Sequence, residues 1–209
     1  MKMNVKSILV PFALSTVLTL SMVSPCSATL VTFEDLSETG TGAFIPSGYQ
    51  GLVWSNFVAV NAIIETANNG LSGIYYGMVT ASNVAFNAFG DPAEIDSTGT
   101  NFSFLSAYLT GVFRSNLNVE VRGFRNGSLL YDQIAVVAAT TPTPFTFNYL
   151  DIDRLTFNSS GGDNAGFGGI AGTFVLDNLT FEFVPEPSSF LLTAAATLML
   201  WPILRRRRA

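Results

Sequence analysis

Residues 117–139 read LNVEVRGFRNGSLLYDQIAVVAA, and the fold class follows from how they alternate. Leu117, Val119 and Val121 fall on one face of an extended chain, while Asn118, Glu120 and Arg122 fall on the other. A period of two with one apolar face describes a half-buried β-strand. Arg125-Asn126-Gly127-Ser128 follows, and Asn-Gly readily takes the two positive φ angles of a tight primed turn. The run 129–139 then returns as the partner strand. This stretch is a β-hairpin with one wet face.

The same pattern extends in both directions. LVTFEDL (30–36), LVWSNFVAV (52–60), GIYYGMVT (73–80), NVAFNAF (83–89) and FSFLSAYLTGVF (102–113) precede the hairpin. FTFNYL (145–150), DRLTFN (153–158) and TFVLDNLTFEFV (173–184) come after it. All are rich in Phe, Val, Tyr and Thr and break at Gly, Asn, Pro or Asp. The last run changes phase at Asp177-Asn178, and a bulge there restores its alternation. No long helical period occurs in the body, and SSGGDNAGFGGIAG (159–172) reads as a flexible loop. About ten strands joined by turns predict an all-β fold, an antiparallel jelly-roll-like β-sandwich over residues 29–183.

Charge narrows the function. The chain has 209 residues, a net charge of −5, one cysteine and no histidine. Between Thr29 and Val184 four arginines oppose 14 acids, a net −10. Such a body repels nucleic acid and anionic membranes and suits cations. It holds no His, Lys or Cys. Ser-His-Asp and Ser-Lys sites, a cysteine nucleophile, a Schiff base and a His-ligated zinc are thereby excluded. A two-carboxylate glycosidase remains a formal option, but nothing singles out a pair of acids. The expectation is a protein that is not an enzyme.

Two look-alikes are set aside. Gly166 to Ala171 fits G-x-G-x-x-A, yet a β run rather than a helix comes next. Asp96-Ser97-Thr98-Gly99 resembles an aspartic-peptidase turn with one residue too many, in a single copy. Sequons at Asn101, Asn126, Asn158 and Asn178 mean glycans only in a host that attaches them.

The two ends concern address. Lys2 and Lys6 precede an apolar run, Ile8 to Val23, and Cys26-Ser27-Ala28 supplies small residues for cleavage. Residues 1–28 are thus expected to be a secretory signal peptide, whose removal takes away the only cysteine. At the other end, Phe190 to Leu204 is an uncharged, mostly apolar run of 15 residues followed by Arg205, Arg206, Arg207 and Arg208. As a helix it spans roughly 22 Å, short of the ~30 Å hydrocarbon core, with the arginines snorkelling at its cytoplasmic end. Before it, Val184-Pro185-Glu186-Pro187 cannot join sheet or helix, because its prolines fix φ and lack N–H donors.

Val184 to Ala209, with its Pro-Glu-Pro motif, short hydrophobic transmembrane helix and arginine cluster, resembles the PEP-CTERM sorting domain of exported Gram-negative bacterial proteins. The resemblance implies an exosortase as processing partner, with membrane insertion through residues 190–204 before processing. It also implies delivery to the cell envelope, surface or extracellular matrix of polysaccharide-producing bacteria.

The body resembles, more loosely, the β-sandwich domains of such proteins and carbohydrate-binding modules, through TFEDL and FVLDNLTFEF. That likeness implies a structural calcium shared between Glu34 or Asp35 in the first strand region and Asp177 in the last. Calcium takes clustered hard oxygen ligands, and terminal strands pair in a jelly roll. Sugar faces stack on exposed rings, and Trp54, Tyr75, Tyr76 and Tyr108 are the candidates for binding extracellular polysaccharide.

Overall fold

The computed structural model describes residues 27–36, 39–169 and 172–185. The signal peptide up to Cys26, and Glu186, Pro187, the apolar run and the arginine tail, lie outside the described residues. In chain order the elements are β1 (Thr29–Val31), β2 (Ala43–Phe44), β3 (Leu52–Ser55), β4 (Phe57–Asn61), α1 (Ala62–Asn69) and α2 (Gly73–Tyr76). Then come β5 (Asn83–Asn87), β6 (Ala93–Ser97), β7 (Phe102–Gly111), β8 (Arg114–Arg125) and β9 (Ser128–Val137). The series ends with β10 (Thr143–Ile152), β11 (Arg154–Asn164) and β12 (Phe174–Phe183).

Two antiparallel sheets form the sandwich. The first, sheet A, runs β10-β7-β12-β5-β4-β2, with β1 also paired to β12; the second, sheet B, runs β3-β6-β11-β8-β9. The predicted hairpin is β8–β9, closed by an Arg125–Ser128 pair. Asn126 and Gly127 have φ of 49° and 76°, as a primed turn requires.

Between the sheets lies a core dense in aromatic rings. Phe104, Leu109, Leu176 and Phe181 of sheet A meet Leu117, Val119, Leu155 and Phe157 of sheet B, all fully buried. Phe57 stands edge-on to Phe157 at 5.5 Å, and Phe104 stacks on Phe147 at 4.6 Å. Burying each such side chain stabilises the fold by about 1.5–3 kcal/mol. With no cysteine in the body, this packing carries the stability.

Three expectations need correction. Residues 73–80 are not a strand: α2 occupies Gly73–Tyr76 and a turn succeeds it. Ahead of it α1 fills Ala62–Asn69. Neither helix is long enough to leave a period in the sequence, and side-chain caps start both. Asn61 accepts from Ile64 N at 3.1 Å and Ser72 Oγ from Ile74 N at 3.2 Å. The third correction concerns 159–172. Ser159–Asn164 continues β11 and pairs with β8, and the loop begins only after Asn164.

The helices lie on the outer face of sheet A and close a second, smaller core of Val60, Ala62, Ile74, Val84, Val112 and Val175. Gly73 is what lets α2 seat there. A Cβ at this position would stand 1.9 Å from Gly111 O, while Gly73 N donates to Val112 O at 2.8 Å. Strands β4, β5 and the first half of β12 are consequently apolar on both faces, as covered sheets are.

Candidate functional site

β12 is flanked by β7 along one edge, but its other edge is shared. β5 pairs with Val175 and Leu176, and β1 pairs with Leu179 to Phe181. Asp177-Asn178 falls in the gap between these partners. The register with β7 shifts there and Asn178 has φ 48°, so the predicted bulge is present.

Asp177 points outward, alternating with inward Leu176, yet it is fully buried beneath the segment after α2. Its Oδ2 accepts from Val79 N at 2.8 Å and Thr80 N at 3.1 Å, and its Oδ1 from Asn178 N at 2.7 Å. Thr80 Oγ1 donates to Asn178 Oδ1 at 2.7 Å. Glu34, just after β1, takes the other end of the same segment. Its Oε1 accepts from Ser82 N at 3.1 Å and Asn83 N at 2.8 Å. Residues 79–83 thus hang from two carboxylates, one at each end of the chain's fold.

This arrangement is electrostatically unbalanced. Burial pushes the Asp177 carboxyl up to about 6 although three N–H groups oppose the shift, and the charge of Glu34 adds to it. The described cations, Arg114, Arg122, Arg125 and Arg154, all sit on β8 or β11 in the other sheet. Asn83 adds an acceptor. Its Nδ2 donates to Phe33 O at 3.1 Å, while its Oδ1 is buried without a hydrogen-bond partner. Carboxylate and amide oxygens such as these are of the donor type that a hard cation such as calcium takes, about six to eight at a time. Among the described residues no three His, Cys, Asp or Glu side chains cluster, so further ligands would be neutral oxygens.

Asp35 is directed elsewhere. Tyr49 donates its hydroxyl to Asp35 Oδ1 at 2.7 Å, and burial followed by that carboxylate pushes the phenol above its ordinary range. The acid beside Asp177 is therefore Glu34. Asn83 had no signal in the sequence, because the residues it bonds, Phe33 and Glu34, lie about 50 positions away.

The four aromatic candidates part company. Trp54 is only 6% exposed, edge-on to Phe33 at 5.7 Å and Phe57 at 5.6 Å, and its indole N–H donates to Tyr49 O. It belongs to the inter-sheet core and offers no face to a ligand, so its assignment to ligand binding is corrected. Tyr108 is half-buried on the outer face of β7, directly opposite Asp177. Tyr76 is half-buried and stacks on Phe167 at 6.0 Å. Tyr75 stands edge-on to Tyr76 and is 41% exposed.

The outer face of sheet B is more nearly balanced. Arg122 bridges Glu120 at 2.6 Å and Asp132 at 3.2 Å, and Arg154 lies 4.0 Å from Glu94 and over the ring of Phe124. Most of its charges answer one another, but Asp96 stands beside Glu94, and burial followed by that neighbour pushes the Glu94 carboxyl up against the opposing charge of Arg154. Val184 N donates to Asn101 O at 2.8 Å, the last backbone bond among the described residues, and exposed Pro185 comes next.

No protein-family model and no curated protein matches the chain. Solved structures similar to it include TmCBM61 in complex with β-1,4-galactotriose, at 11% identity and a TM-score of 0.32, covering 68% of this chain and 98% of that one. Family 16 Carbohydrate Binding Module-2 is 13% identical with a TM-score of 0.29, covering 61% and 85%. The M60 catalytic domain with two CBM51 domains from Clostridium perfringens ZmpB is 11% identical with a TM-score of 0.31, covering 50% of this chain and 11% of that one. At TM-scores this low, these likenesses carry no weight for function.

Proposed function

We propose that this chain is an exported, non-enzymatic surface or extracellular-matrix protein, delivered by a C-terminal sorting segment that an exosortase-type enzyme processes. One observation carries the reading: the sandwich closes between two tails. β1 begins at Thr29 opposite Phe181, and among the described residues Val184, immediately before a proline, makes the final backbone bond. Both tails leave from neighbouring positions, and removing both leaves every described strand in place. The absence of His, Lys and Cys from residues 29–184 supports a role without catalysis.

The test uses a host that carries the processing enzyme. The mature protein should begin near Thr29 by N-terminal sequencing, and its mass should lack Arg205 to Arg208. Replacing Pro185-Glu186-Pro187 by three alanines should leave the arginines attached and the protein in the membrane. Equal masses for the two surface forms, arginines included, would replace sorting by a plain tail anchor.

A second reading rests on Glu34, Asp177 and Asn83. Here the chain is a calcium-stabilised carbohydrate-binding module acting on extracellular polysaccharide. Calcium, held by these residues, would tie β1 to β12 and fix the 79–83 segment between them. Glycan-array binding distinguishes a sugar-binding module from a purely structural matrix protein.

A further inference from the structure

We propose that the cleft on the outer face of sheet A, between Phe44, Phe89 and Glu65, is a binding site for an uncharged pyranose unit of a polysaccharide. This inference rests on the carbohydrate-binding reading and gives it a location that the four aromatic candidates did not.

The cleft floor is a single cross-strand row. Phe44 of β2 lies opposite Val58 of β4, and Val58 opposite Phe86 of β5. The helices cover the neighbouring part of this face but leave that edge open. The hollow measures about 440 Å³, within the roughly 300–1,000 Å³ of small-molecule sites. A second hollow of about 370 Å³ continues from it, sharing Glu65 and adding Asn68 and Asn69. One end is aromatic and the other carries amides and a carboxylate. That pairing matches a pyranose, which has an apolar C–H face and a rim of hydroxyl donors.

Three observations point to a ligand. Phe89 and Phe44 are the most exposed of the large apolar residues described, at 69% and 62%. The described ring pairs leave out Phe44, Phe86, Phe89 and Phe113, all four of which line this cleft. Phe86 and Phe113 are half-buried against the second core, so the ring surface left without a cover is that of Phe44 and Phe89.

The second observation is Phe89's backbone. Its φ is 59°, a left-handed conformation that a bulky residue rarely adopts. The turn is nonetheless clamped. Asn56 Nδ2 donates to the carbonyls of Ala88 at 3.2 Å and Pro92 at 3.0 Å, and Asn87 Nδ2 to that of Asp91 at 2.9 Å. Asn87 Oδ1 in turn accepts from Phe174 N at 2.8 Å, anchoring the clamp in the sheet. A strained, outward ring held by the amides of half-buried Asn56 and buried Asn87 is preorganised, and such strain gathers at functional sites.

Third, Glu65 Oε2 is buried and has no hydrogen-bond partner, while Oε1 accepts from Asn69 Nδ2 at 3.3 Å. Burial pushes this carboxyl above its ordinary value. A donor hydroxyl would supply the missing partner. The body's net −10 disfavours uronate chains, which is why the sugar is taken as uncharged.

The experiment is a glycan array of neutral hexopyranose oligosaccharides with their uronate counterparts, probed with the mature protein. The strongest neutral hit is then titrated calorimetrically. We expect neutral over uronate binding, and at least a tenfold loss of affinity for Phe89→Gly and for Glu65→Gln. Phe89→Gly suits the positive φ, so its melting temperature should not fall, which separates lost binding from lost folding. Ile134→Ser, on the outer face of β9, should bind as the parent does. No binding to any glycan overturns both this site and the carbohydrate reading. Binding that survives both cleft substitutions, or that favours uronates, overturns the site alone.

Discussion

The two outer faces of the sandwich solve the same problem in opposite ways. Sheet B leaves its outer face to water and sets most of its charges in opposed pairs, Arg122 with Glu120 and Asp132, Arg154 with Glu94, although Asp96 also stands beside Glu94. Sheet A covers part of its outer face with α1 and α2, and its acids there find no arginine. Asp177 and Glu34 are answered by backbone N–H groups, and Glu65 by one amide. A charge left without a counter-charge in a sheltered place costs stability unless something arrives to meet it. The difference directs attention to the covered face for binding and to the open face for solubility.

Four measurements can break or sharpen that contrast. The largest effect is expected at Gly73. Alanine there forces a methyl against the Gly111 carbonyl, lifting α2 from sheet A and costing about 2–3 kcal/mol. Thermal denaturation should show it, and an unchanged midpoint would mean the helices are not seated on the sheet. Next comes calcium. At a hundredfold excess over its Kd it should stabilise the folded state by about 2.7 kcal/mol. Asp177→Ala should abolish the gain, and identical melting curves with calcium and with chelator would remove the ion.

The pH dependence is smaller and has a definite sign. With the folded carboxyl of Asp177 raised to about 6, its protonated form is the favoured one in the fold. That contribution is complete below the ordinary aspartate value of about 3.9 and is lost as pH rises through 6. In chelator, going from pH 5 to pH 7 should cost on the order of 1 kcal/mol from this group. Saturating calcium should reverse the trend, because protons then compete with the ion. A chelated protein whose stability rises over this interval would show that burial does not govern Asp177. The smallest effect belongs to the open face. Arg122→Ala breaks two exposed pairs and should cost no more than about 1 kcal/mol. A larger loss by denaturant titration would mean that sheet B's charges are structural after all.

The contrast also decides what could be read from the sequence. Residues 117–137 betray their strands because one face is wet, and alternation survives only where water selects it. β4 and β5 are apolar on both sides, so 57–60 and 84–86 show no alternation, and the cover that explains them is eight and four residues of helix. A run such as GIYYGMVT is rich enough in β-formers to read as a strand, but Ser72 caps it into a helical turn on the sheet. The bulge at Asp177-Asn178 was visible as a break in the strand's phase, while Asp177 as a site residue came only from the likeness of FVLDNLTFEF to carbohydrate-binding modules. Asn83, Asn56 and Asn87 were not visible. Their amides act on loops and strands that the chain reaches only by folding, and one asparagine among many carries no mark of that. Trp54 failed for a related reason: composition says an aromatic is in a strand, not which layer it faces.

β12 has one further property, set by its place between β7 on one edge and β5 and β1 on the other. If the protein is held at a surface through the segment after Val184, any drag on it is delivered straight into this strand. A load along β12 must shear two ladders at once instead of unzipping a strand from the rim. An edge strand such as β9 has one ladder to lose. Single-molecule pulling from Val184 should therefore meet higher rupture forces than pulling from the β9 end, because the tether point adjoins a strand paired along both edges.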